Sequence, residues 1–350
     1  MLEKYVTMLR RYGLIALALT LIAPWSWGME ALPTLPAIPK DNPLSAAKIE
    51  LGKMLFFEPR LSWDGTVACN TCHNVMSSGT DNRPVSVGIS AQKGSRSAPT
   101  VWNAAFMTTQ FWDGRATTLE DQAKNPILNP IMMGMPDQDY VLKRLRAIPE
   151  YQQKFSQAFG GRDAITFDNI ARAIASYERT LITPNSALDR YLKGDKNALS
   201  RQALSGMKLV EETGCIACHN GVNFAGPDAP VGEGSFQKFP TYLDNKYVKL
   251  YDLLADSGRF GVTKNESDKN LWRVPTWRNI ALTAPYFHNG AVKTLAEAVR
   301  VMAKTQLNKE LTETQVDDIV AFLNSLTGVF PEQTMPHLPP EVNASTVGDK

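Results

Sequence analysis

All four cysteines of this 350-residue chain fall in two copies of one pattern. CNTCH occupies residues 69–73 and CIACH residues 215–219, each a complete C-x-x-C-H. Two thiols at that spacing can each add to one vinyl group of a single haem, and the histidine that follows is then placed under the iron. Cys69, Cys72, Cys215 and Cys218 are therefore expected to tether two haems c covalently, with His73 and His219 as proximal ligands. Other uses of paired cysteines fit less well. Zinc ribbons set their two C-x-x-C pairs closer in sequence and need no histidine after each. A dithiol redox motif expects one C-x-x-C beside a βαβ pattern, and a disulfide framework has no use for the histidines.

Each iron has a sixth position to fill. Only four histidines exist, so His288 and His337 are the ones left over. Methionine is the usual alternative and raises the haem potential. Beyond His219 the methionines are Met302 and Met335. Met335 sits in a Pro-rich segment, TMPHLPP, and Met302 follows a helical stretch, 295–301. A lone Met is more often core filler than ligand. Both remain candidates, with Met302 preferred.

The elements that must position these groups read as mostly helical. Residues 46–57 and 166–181 carry helical apolar spacing, the second with Ile170, Ile174, Tyr177 and Leu181 in one stripe and Pro184 as its stop. A further helix is expected from near Ser200, with Leu204, Met207 and Val210 apolar and Gly214 closing it. LGKMLF (51–56) and LSGMKLV (204–210) each precede a C-x-x-C-H, which predicts an internal duplication. The last helix opens on Thr312-x-x-Gln315, a capping box, with Val316, Ile319, Val320 and Leu323 on its apolar face. Strand signals are sparse. The expected plan is mainly α: an extended Pro-rich arm at 29–45, one domain over 46–184, a second over 185–330, and a polar tail at 331–350. Gly- and Pro-rich loops such as 221–240 are expected to wrap the sites.

The N-terminus reads as a signal peptide, 1–28. Lys4, Arg10 and Arg11 precede the apolar run 14–23, with small residues before a cut near Gly28–Met29. That run is shorter than the about 20 residues a membrane span needs, which disfavours an uncleaved anchor. Removing 1–28 takes Lys4, Arg10, Arg11 and Glu3 and leaves acids and bases in balance. A neutral chain offers no footprint for nucleic acid.

The stretches CNTCHN (69–74), QFWDGRA (110–116), TFDNIARAIASYERTLITPNS (166–186), TGCIACHNGVN (213–223) and RNIALTAPYFHNG (278–290) resemble the bacterial dihaem cytochrome c peroxidases. The resemblance runs from about Pro43 to Gly328. It implies two cytochrome c-like haem domains in tandem in a periplasmic protein, with a homodimer as a common state. It further implies a high-potential second haem with Met302 as sixth ligand, fed by a small c-type cytochrome or cupredoxin. The first haem is then the low-potential site where hydrogen peroxide becomes water. Trp112 corresponds to the family's tryptophan between the haems. A Ca2+ ion is implied on the carbonyls of Thr283 and Pro285 and on residue 97.

Three positions depart from the family pattern. Ile89 stands where resting members carry a distal histidine, and isoleucine cannot ligate iron. Met132 replaces a glutamate over the peroxide site. Ser97 replaces a calcium-binding asparagine. General acid–base catalysis contributes typically ~10²–10⁴-fold, so Met132 predicts a weakened or altered peroxidase unless another acid, Asp137 for example, stands in. Two alternatives follow from the same residues. One is a dihaem oxidase of a protein partner, in the manner of the methylamine-dehydrogenase maturation enzyme, which would expect a second-haem ligand other than Met. The other is an electron-transfer cytochrome whose first haem is closed by Met132, Met133 or Met135.

Overall fold

A computed structural model of the protein describes residues 28–341, 345 and 347. The expected leader lies outside the described residues apart from Gly28, and no described helix is long and apolar enough to cross a membrane.

Two helix crossings organise the chain. In the first half, α1 (Ala46–Phe56) crosses a helix at Phe167–Glu178. They meet at Gly52, where any Cβ would collide with the Ala173 carbonyl. In the second half, the helix at Arg201–Glu212 crosses the one at Glu313–Asn324. There a Cβ on Gly206 would collide with the Asp318 carbonyl. The two sequence echoes, LGKMLF and LSGMKLV, thus share a glycine because each needs backbone-to-backbone approach at the same point. All four helices open on a hydroxyl cap: Ser45, Thr166, Ser200 and Thr312 accept from the backbone N–H of Lys48, Asn169, Ala203 and Gln315.

Between these run α2 (Cys69–Cys72), α3 (Leu119–Leu128), α4 (Gln138–Arg146) and α5 (Pro149–Phe159), so that Phe167–Glu178 is α6. Then come α7 (Ala187–Leu192), α8 (Arg201–Glu212), α9 (Lys246–Leu250), α10 (Phe260–Thr263), α11 (Leu295–Leu307) and α12 (Glu313–Asn324). The sheet among the described residues is one antiparallel pair, β1 (Phe236–Lys238) and β2 (Leu271–Arg273), with Gln237 opposite Trp272. Leu51, Leu55, Tyr151, Phe155 and Ile174 belong to one apolar core. Leu188, Val210, Phe224, Ile319 and Phe322 belong to another.

One helix ends earlier than its stripe suggests. α6 stops at Glu178, well short of Pro184. Asn103 N–H donates to the Leu181 carbonyl at 2.8 Å, and Thr183 N–H donates to the Asn103 side chain at 2.9 Å. Those long-range bonds take the backbone out of the helix before proline can break it.

The two ends of the described chain cross over. Leu32 on the arm donates to Asp189 Oδ1 at 2.9 Å, and Arg278 donates to the Glu30 carbonyl at 2.8 Å, both in the second half. Ten residues on, Asn42 donates to Glu120 and to the Arg172 carbonyl in the first half. The tail runs the other way: Phe330 meets Trp102 edge-on at 5.0 Å, Tyr177 bonds Gln333, and Arg60 bonds the Pro339 carbonyl. Asp189 and Arg278 form a fully buried ion pair at 2.7 Å. Burial alone would raise the Asp189 carboxyl, but the Arg278 charge and the Leu32 N–H hold it below the ordinary carboxylate range.

Candidate haem site

The single turn of α2 puts Cys69 and Cys72 on one side of the chain and leaves His73 as its cap, with His73 N–H donating to the Cys69 carbonyl. The second motif repeats this with a short turn at Cys215–Ala217 and His219 N–H donating to the Cys215 carbonyl. Gly214 enters that turn at φ 91°, a left-handed conformation that suits glycine. None of the four cysteines is paired in a disulfide. Both motifs open onto one continuous cavity of about 840 Å³.

The histidines are set as ligands should be. His73 Nδ1 lies 2.9 Å from the Pro99 carbonyl, and His219 Nδ1 lies 3.2 Å from that of Phe224. An Nδ1–H donated to a carbonyl fixes the tautomer and leaves Nε2 available to a metal. Burial keeps both rings neutral, lowering His73 and pushing His219 down to about 4. The His219 ring also stacks on Trp277 at 4.4 Å.

The wall carries a buried cation to which no carboxylate is hydrogen-bonded, though Asp113 on the same wall favours its charge. Arg273 is buried, and its guanidinium donates to the Phe111 and Val274 carbonyls and to Met107 sulfur, not to a carboxylate. Burial pushes it down to about 10. A buried cation aimed into a cavity fits an anionic group, as a haem propionate is. The residues present fit two haems.

The sixth positions differ between the ends. Met302, on α11, lines the cavity, whereas Met335 is 67% exposed on the tail and His337 is also exposed. At the first end, Met132 and Met133 line the wall, while Met135 is buried in the core. Ile89 is buried in that core too, its side chain packed over Gly134 and its N–H bonded to the Met132 carbonyl at 2.9 Å. Asp137 cannot be the replacement acid that the sequence suggested: it caps α4, accepting from Tyr140 N–H at 2.8 Å, and is not on the cavity wall. The N-cap spacing, which favours Asp at that position, explains its presence better.

Trp112 lies on the wall, its Nε1 donating to the Ser97 carbonyl at 2.9 Å. Its ring stands edge-on to His288 at 6.4 Å, and His288 stacks on Trp272 at 4.0 Å. Ser97, Thr283 and Pro285 share the same wall, and Ser97 N–H bonds the His288 carbonyl at 2.7 Å. Sequence reasoning missed Glu178, a buried carboxyl on the wall, although Ile170, Ile174 and Glu178 stand four residues apart on the core face of α6. It also missed Gln122 and Asn125 of α3, which line the first end and carry no local signal.

Comparison with known proteins agrees with this geometry. The model of the family "Di-haem cytochrome c peroxidase" matches residues 46–197, and a cytochrome c model matches 203–327. A cytochrome c551 peroxidase of Nitrosomonas europaea is 43% identical over 332 residues, covering 95% of each chain. One from Pseudomonas aeruginosa is 47% identical over 302 residues, covering 86% of this chain and 84% of its own. A solved structure titled as a MauG-like protein associated with microbial copper homeostasis is 30% identical, with TM-score 0.74, covering 87% of this chain and 96% of its own. A mainly helical chain with two cytochrome c-like domains and a cavity built for two haems defines a dihaem cytochrome. This chain belongs to the di-haem cytochrome c peroxidase family.

Proposed function

We propose that the protein is a periplasmic peroxidase that reduces hydrogen peroxide to water with electrons from a small c-type cytochrome or cupredoxin. The observation that carries this reading is the single cavity lined at one end by His73 and Met132 and at the other by His219 and Met302, with Trp112 on its wall. When bound, two haems c supply one-electron storage and an iron that peroxide can reach.

The chain's own residues divide the work. His219 and Met302, both on the cavity wall, would hold the second haem, and a His/Met pair would favour electron acceptance from a partner. His73 would hold the first haem. Met132, Met133, Gln122 and Asn125 line the same cavity, with Ile89 packed in the core. Trp112 carries electrons between the two ends through its indole, which the Ser97 carbonyl fixes in place. One peroxide takes two electrons and two protons and leaves as two waters. Met132 has a thioether, with no titratable proton. The Thr283 and Pro285 carbonyls, with help from Ser97, would hold a Ca2+ ion beside the segment that fixes Trp112. A methionine at the second haem speaks for this reading over a protein-partner oxidase.

The test is direct. The mature protein should gain the mass of two haems that survive denaturation, and should consume peroxide when supplied with a reduced small cytochrome. One haem per chain, or no peroxide turnover with several donors, would overturn the proposal.

A further inference from the structure

We propose that Glu178 is the proton-holding residue of the first haem cavity, a role for which Met132 has no group. This rests on the haem reading above and deepens it.

Glu178 is the last residue of α6 and is 5% exposed. It stands on the cavity wall beside Cys69 of the first motif, with Ile174 one turn back and Ala123 of α3 on the same wall. Its Oε2 is buried and makes no hydrogen bond. The adjacent cation does not serve it: Arg179 gives both guanidinium arms to Glu120 of α3, at 2.7 and 3.0 Å. A carboxylate taken out of water without a partner is costly, so such a group keeps its proton instead.

The groups that bear on Glu178 can be named. On its own helix they are Arg179, which favours ionisation, and Tyr177, whose hydroxyl is bonded to Gln333. On α3 there is Glu120, which opposes ionisation. On α2 there is Cys69, a neutral thioether once the haem is attached. α1, which crosses α6, contributes apolar Leu51 and Leu55 to the shared core. Burial dominates this set and pushes Glu178 up to about 8. An acid of that strength holds its proton at neutral pH and can release it at little cost, which is the condition for useful proton transfer near the working pH.

Its charge state must also couple to the first haem. Losing the proton leaves a negative charge on the wall, and that charge favours the oxidised iron. The potential of the first haem should therefore fall as pH rises through the Glu178 pKa, and reduction should draw a proton to the carboxyl.

The experiment is a redox titration of the first haem in the holoprotein at several pH values from 6 to 9, in wild type, Glu178→Gln and Glu178→Asp. We expect the fall of potential with pH to be clear in wild type, lost in Glu178→Gln and retained in Glu178→Asp. An infrared spectrum at neutral pH should show a protonated-carboxyl band that Glu178→Gln removes. The same slope in wild type and Glu178→Gln, or no such band to remove, would overturn the proposal. Glutamine matches the protonated glutamate in size and neutrality, so Glu178→Gln should fold; a folding failure confined to it would show that the carboxyl is structural and would also overturn the proposal. Neither readout needs peroxide turnover. Absence of turnover in wild type would sink the peroxidase reading, while the slope and the band would still decide the role of Glu178.

Discussion

The two halves of the chain hold a C-x-x-C-H on the same scaffold and then diverge at the other face of the cavity. In each, a capped helix carrying a buried glycine crosses a second capped helix, at Gly52 with Ala173 and at Gly206 with Asp318. In each, the histidine donates Nδ1–H to a backbone carbonyl. On the cavity wall, the second half offers Met302 from the middle of a regular helix. The first half offers a loop, 129–134, and the side chains of α3. A ligand on a rigid helix is held at fixed reach, whereas the loop carries no His or carboxylate and its methionines sit on backbone outside any helix, and we propose that it leaves the iron open. The scaffold binds the haem; the far wall decides whether the haem stores electrons or meets a substrate.

The largest expected effect tests what is unique to the second half. Arg278→Ala strands Asp189 as an unpaired buried charge and should cost about 3–5 kcal/mol in a denaturant titration. In the first half, the Arg179–Glu120 pair is less deeply buried, and its loss should cost less. Asp189 is held below its ordinary range, so its contribution is present above the unfolded carboxylate pKa and drains away as pH falls through the folded value. Wild type should therefore lose stability in acid more steeply than Arg278→Ala.

The next effect tests the duplication. Gly52→Ala and Gly206→Ala should each cost about 1–3 kcal/mol, since an added methyl must push two helices apart. If only one of them destabilises, the two crossings are not equivalent.

The third tests the divergence. Met132→Glu should raise peroxide turnover by at least about tenfold, the cautious end of acid–base effects. Met132→Gln, similar in size but without a titratable proton, should give little gain. Equal turnover in wild type and Met132→Glu would mean that Glu178 alone already moves the proton at the full rate.

The smallest effect concerns calcium. Ser97→Asn lengthens an oxygen ligand for a hard cation that wants contacts at about 2.3–2.6 Å. It should tighten calcium binding several-fold in a direct titration. Equal affinities would remove residue 97 from the site.

The divergence was less legible in the sequence than the sameness. Both C-x-x-C-H motifs, the Thr312 capping box and the two echoes before the motifs are local patterns, and they predicted local structure. Glu178 was missed although it continues the four-residue spacing of Ile170 and Ile174, because periodicity reports burial and not which part of a buried face meets a cavity. His288 reaches Trp272 of β2 through a loop that no short-range rule orders. Asp137 misled for the opposite reason: an acid near the right motif in sequence was serving its own helix as a cap. Met302 and Met335 could not be separated by residue type. They separate once the tail is seen lying on the first half, with Met335 exposed upon it.

The central claim is that the two haems differ in their sixth position, the second closed by Met302 and the first open. A spectrum of the fully oxidised holoprotein, with and without cyanide, tests it most directly. One low-spin and one high-spin haem, with cyanide converting the high-spin one without prior reduction, is the predicted result. Two low-spin haems, or cyanide binding only after one-electron reduction, would contradict it.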